Sequence, residues 1–211
     1  MTPLLRLELK DLLSPCIRLR EGFRSNEDSE RPETDRERVK SVVDWEVELR
    51  SQFVHSALDS LAKSESWKAA LPELLTEATD LLKQALDMLR ELESADDRSD
   101  RSFWHQPSIS PHPQNARYHD WTALIDLARD SWVACAQVHP EKAKREVYRW
   151  LDIRYPVFRR LVFFAATTRG DLFQPDQIVS WLLADEQWWL WTAETQRETM
   201  RLIAALAPDL P

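Results

Sequence analysis

Five histidines and twenty-one arginines are the side chains from which acid–base or phosphate chemistry would be drawn. Two arginine–histidine pairs stand out, Arg50 with His55 and Arg98 with His105. In such a pair the histidine would pass a proton while the arginine stabilises charge on a phosphate. Composition alone supplies about 1.5 pairs at these spacings by chance. A second grouping is His119, Cys135 and His139, of which Cys135 and His139 are spaced to share a helical face. There is no CxxC pair and no HExxH, so no metal is assigned, and no cofactor either.

The Arg50–His55 spacing resembles the motif of HEPN-type ribonucleases, which are all-helical. That resemblance implies His55 as acid or base and Arg50 as the phosphate-stabilising cation. The residue after Arg50 is Ser51, where the family's motif has a polar amide or an acid. An RNA-cleaving enzyme is therefore the alternative function and not the leading one.

Two further groups suit binding. Lys142, Lys144, Arg145, Arg149, Arg154, Arg159 and Arg160 outnumber Glu141, Glu146 and Asp152 in one stretch. With Tyr148 and Tyr155 for stacking, this run could hold nucleic acid or an acidic partner, although nothing else in the sequence supports nucleic acid. The plainer reading is a solvated face, neutralised by the acidic N-terminal half. Trp188, Trp189 and Trp191 follow Trp181 closely and cannot all face one side of a short helix. They read as packing between helices or as a protein-binding hot spot.

The elements that would position these residues are helical. Only Gly22 and Gly170 occur, and a chain so poor in glycine is ill suited to tight strand turns. The same scarcity excludes a Walker A loop and a dinucleotide fingerprint. The net charge of −8 is concentrated in residues 1–100. Two cysteines fit a reducing compartment, and no apolar run reads as a signal peptide or a membrane span. A cytoplasmic protein is expected.

In chain order, residues 1–24 form an apolar segment in which Leu5, Leu9 and Leu12 suit a helix while Leu5, Leu7 and Leu9 also alternate. After Pro15, Ile17 and Leu19 alternate with arginines as an extended piece. Residues 25–38 carry no apolar side chain and read as a charged linker. Residues 39–93 predict a helical hairpin: one helix from Val39 to Ala62, a second from Trp67 to Glu93 with a seam of Leu71, Leu75, Ala78, Leu82, Ala85, Leu89 and Leu92. Residues 94–119 are a proline-rich connector whose start reads as a hinge, with Phe103, Trp104 and Tyr118 expected against a surface. Residues 120–211 predict a solenoid-like region of helix pairs. Asp120 would cap its first helix, Pro140 and Pro156 open later ones, and Gly170 would close one in a left-handed turn.

Within that last region RRLVFFAA at 159–166 and MRLIAALA at 200–207 match, each on the second helix of a pair. A period near forty residues suggests HEAT-like or armadillo-like repeats. RWLDIRYPVFRRLVFFAA and WLLADEQWWLWTAETQRETMRLIAALAP resemble the helical-repeat regions of large bacterial anti-phage defence proteins. The resemblance covers about residues 140–208 and implies a scaffold attached to an NTPase or sirtuin-like effector, whose own motifs are absent here. The sequence thus predicts an all-α, non-enzymatic scaffold or protein-interaction module, with a protein partner or self-association, and a truncated part of a longer defence protein as its origin.

Overall fold

The computed structural model describes residues 1–21, 42–115 and 117–207. The 25–38 linker lies outside the described residues. Among the described residues, ten α-helices and one two-stranded sheet make a mainly all-α fold. Helix α1 runs Pro3–Leu12, capped by the Thr2 hydroxyl, and Pro15 ends it and opens strand β1, Pro15–Glu21. The ambiguity in the first leucines thus resolves as helix.

Of the helix expected from Val39 to Ala62, only the C-terminal part is helical among the described residues. Val43–Leu49 is strand β2, followed by a short helix α2, Val54–Leu61. Trp45, Val47 and Leu49 alternate, and β2 pairs antiparallel with β1 so that Ile17 meets Val47 and Pro15 meets Leu49. Val47 and Leu49 are buried, while Arg18 and Arg20 on the opposite face pair with Glu46 and Glu48. Cross-strand packing and burial outweigh the weaker helical spacing of the same valines.

Helix α3, Glu65–Glu91, buries Leu75, Ala78, Leu82 and Ala85 of the expected seam, with Leu71 and Leu89 partly buried and Leu92 just past its end, but its main packing is not against α2. Its main partner is α5, Ala123–Val138, so the hairpin of residues 39–93 is replaced by a long-range pairing. Between them lies the connector, with one helical turn, α4, Ser102–His105. Trp104 and Tyr118 are exposed, contrary to expectation; the connector instead buries Ser102, Gln106, Ser108 and Ile109. Asp120 begins a short turn and does not cap α5 directly.

Prolines open the next helices as their fixed φ favours: α6, Pro140–Asp152, α7, Pro156–Thr168, and α8, Pro175–Leu182. Trp188–Trp191 is a single turn, α9, and Gln196–Leu206 is α10. The indole of Trp132 on α5 donates to the Ala143 carbonyl on α6 at 3.0 Å, and that of Trp150 on α6 donates to Thr79 on α3 at 2.9 Å. Both tryptophans are fully buried, and these bonds spare them the cost of an unpaired indole N–H. Helix α7 packs on α5, α6 and α10, which brings the RRLVFFAA and MRLIAALA segments against one another.

Gly170 does not supply a left-handed C-cap; it opens a short 3-10 turn, and no described glycine has positive φ. Left-handed backbone falls on Phe53, Glu93, Arg101, Asp185, Glu186 and Gln187 instead.

Candidate functional site

The three consecutive left-handed residues, Asp185, Glu186 and Gln187, have φ of 52°, 57° and 65°. Each costs about 1–2 kcal/mol for an L side chain with a Cβ, and such strain persists where surrounding contacts impose it. The turn places Asp185 so that its carboxylate accepts the indole N–H of Trp189, and it directs Trp188 and Trp191 outwards. Trp189 is buried, Trp188 is 39% exposed and Trp191 76% exposed. The cluster therefore divides into one anchor and two presented rings.

Beside it opens a cleft of about 420 Å³. Its walls come from the connector (Asp97, Arg98), the α6–α7 turn with its flanks (Leu151 to Tyr155), α7 (Arg159), and the left-handed turn with Trp189. Two consecutive tryptophans each carry a guanidinium: Arg98 lies 4.5 Å from the Trp188 ring centroid and Arg159 5.1 Å from that of Trp189. Arg154 approaches Asp97 at 3.5 Å, and Asp97 also pairs with Arg90. The Tyr155 hydroxyl donates to Asp87 at 2.8 Å, and burial, reinforced by that carboxylate, pushes its phenol up to about 12. It stays neutral at any ordinary pH. Guanidinium forks, indole faces and a short apolar stretch at Leu151 and Ile153 are the materials of recognition.

The basic run of the sequence does not form one patch. Arg160 is entirely buried and spends its nitrogens on Glu198 at 3.0 Å, the Ser102 hydroxyl at 3.0 Å and the Gln106 carbonyl at 2.6 Å. Glu198 in turn accepts the Ile109 amide at 2.8 Å, so this pair clamps the connector onto α7 and α10. Arg149 is tied to Asp80 and Glu146, and Lys142 donates to the Pro72 carbonyl. Lys144 and Arg145 have no ion pair among the described residues, and Arg159 belongs to the cleft.

Arg50 and His55 hold separate partners. Arg50 follows the end of β2, outside any helix, and pairs with Asp11 of α1. His55 on α2 meets the His119 carbonyl and the Thr122 hydroxyl, each at 3.2 Å. His119 Nδ1 donates to the Glu46 carboxylate, 2.7 Å away, and its ring contacts His105 at 4.2 Å between centroids. Burial lowers the His105 pKa, and the neighbouring His119 adds to that. The Cys135 thiol donates weakly to the His139 carbonyl at 3.7 Å, and the described residues contain no group of histidines, cysteines and carboxylates arranged to hold a metal.

Arg98 and Asp185 are contributors that the sequence does not single out for this cleft, whereas Tyr155, Arg154 and Arg159 come from the basic run. Arg98 lies far from Trp188 along the chain, and no local pattern links them. Among the described residues, no helix is long and apolar enough to cross a membrane. Comparisons with protein-family models, curated proteins and solved structures return no match.

Proposed function

We propose that this chain is a non-enzymatic helical module that binds a protein partner through Trp188, Trp191 and the arginine-lined cleft beside them. The observation that supports this reading is the division of the tryptophan cluster, with Trp189 anchored on Asp185, Trp188 partly exposed beneath Arg98, and Trp191 presented to solvent. Tryptophan and arginine are the residues that most often dominate protein interfaces. Holding them on a strained turn, fixed before binding, lowers the ordering cost of association. A scaffold within a bacterial defence system, with its helix pairs stacked in solenoid fashion, is the setting that the resemblance of residues 140–208 favours. The mutual packing of α7 and α10 supports such stacking.

The test starts from a partner co-purified with the full chain and then titrated against it. Exchanging both Trp188 and Trp191 for alanine should weaken that complex at least tenfold, about 1.4 kcal/mol. Trp104→Ala, which removes another exposed tryptophan away from the cleft, should leave it unchanged. RNA cleavage by the purified chain that disappears in His55→Ala would overturn the reading in favour of a ribonuclease.

A further inference from the structure

Arg159 and Arg160 are adjacent, yet only Arg160 has its donors satisfied. The Arg159 side chain is 13% exposed, and burial lowers its pKa. No hydrogen bond leaves its guanidinium among the described residues. The nearest carboxylate oxygen is Asp185 Oδ2 at 3.7 Å, and that oxygen already accepts the Trp189 indole N–H. Among the described residues, the Arg159 nitrogens do not belong with the buried polar atoms that lack a partner, so water reaches them, and a carboxylate brought by a ligand replaces that water with charge-assisted bonds. Arg98, in the same cleft, is stacked on Trp188 and has no ion pair among the described residues.

We infer that the cleft is a binding site for a single carboxylate, delivered by an acidic peptide segment of a protein partner, with Arg159 gripping it and Arg98 as the second cation. This rests on the interaction-module reading above. The guanidinium fork matches the two oxygens of a carboxylate. Charge limits the ligand: Arg98, Arg154 and Arg159 share the cleft with Asp97, Asp152 and Asp185. Walls so nearly neutral accept one negative charge at the unspent guanidinium and repel a run of phosphates. Leu151, Ile153 and the indole of Trp189 cover the apolar stem of a glutamate side chain.

The probe is N-acetyl-glutamate α-amide, which carries one side-chain carboxylate and no charged terminus. It is titrated into the full chain at constant ionic strength while the arginine Nε–H and tryptophan indole resonances are followed. The expected result is a saturable shift at Arg159 and Trp189 with a dissociation constant on the order of 1 mM. N-acetyl-glutamine amide should produce none. Arg159→Gln should weaken binding at least about tenfold, and Arg159→Lys should fall in between because it keeps the charge and loses the fork. Arg98→Gln, at an exposed stack whose loss spares the core, should weaken it roughly threefold or more.

Lack of saturation at roughly 100 mM, far weaker than this chemistry predicts, would overturn the inference. So would an equal response to the glutamine probe, undiminished binding in Arg159→Gln, or tighter binding of inorganic phosphate than of glutamate. A partner protein indifferent to Arg159→Gln would sink this inference and leave the interaction module standing. Carboxylate binding in a chain whose partner ignores the Trp188 and Trp191 exchanges would do the reverse.

Discussion

Replacing Arg160 with methionine would leave Glu198 as a buried carboxylate whose remaining partner is the Ile109 amide. Breaking a buried pair in this way costs about 3–5 kcal/mol, and the urea midpoint of the variant should fall accordingly. Adding Glu198→Gln to that variant should restore part of the loss, because an amide is cheaper to bury than a charge. Glu194 gives the pH counterpart. Burial raises its carboxyl from an ordinary 4.5 to about 7; Asp100 and Asp96 push the same way, while the Ser99 hydroxyl and Arg160 oppose. The folded chain therefore keeps a proton that the unfolded chain has released, so this contribution is complete below about pH 4.5 and lost as pH rises through about 7. Glu194→Gln retains an acceptor for Ser99 and should flatten that slope, gaining about 1 kcal/mol over the parent near pH 8 once solvent screening is allowed for. Burial also raises the Asp100 carboxyl, so a residual slope of the same sign should survive in the variant.

At the scale of elements, the turn before α9 is where stability has been given up. Glu186 is exposed and left-handed, so a glycine there removes a Cβ penalty and touches no core contact. Glu186→Gly should raise stability by about 0.5–1 kcal/mol after the added freedom of the unfolded chain is subtracted. Denaturant titration checks it, and an unchanged or lower midpoint would show that the turn is unstrained. The same turn marks how far the sequence could be read. Pro140, Pro156 and the α3 seam announce their helices because proline geometry and seven-residue periodicity are local signals. Strand β2 escapes because Val43 and Val47 satisfy either period, and its partner β1 lies across an intervening stretch. Gly170 misleads because a glycine permits a left-handed turn without requiring one, while Asp185, Glu186 and Gln187 adopt it with no marking residue. The cleft is illegible for a related reason. Tryptophan density points to Trp188 and Trp189, yet only folding brings the Arg98 and Arg159 guanidinium groups over their rings.

Across the whole molecule, the ten tryptophans divide by the packing that α7 organises. Trp132 and Trp150 lie in the core with their N–H groups bonded, and Trp67, Trp121, Trp181 and Trp189 are also buried. Trp104, Trp188 and Trp191 are the large exposed rings, and Trp45 is half-buried on the sheet. Acrylamide suits this division better than iodide, since an anionic quencher would concentrate beside Arg98 and exaggerate Trp188. Quenching should resolve a small accessible fraction, and Trp104→Phe should remove only part of it. Adding the partner, or an acidic peptide that fills the cleft, should then protect Trp188 and Trp191 in the Trp104→Phe chain, so that almost no accessible fluorescence remains. If the ring at 191 stays as quenchable in the complex as in the free chain, binding occurs elsewhere. The exposed leucines of α1, Leu4, Leu5, Leu7 and Leu12, then become the surface to test by the same logic, because they are a further group of apolar side chains left in water.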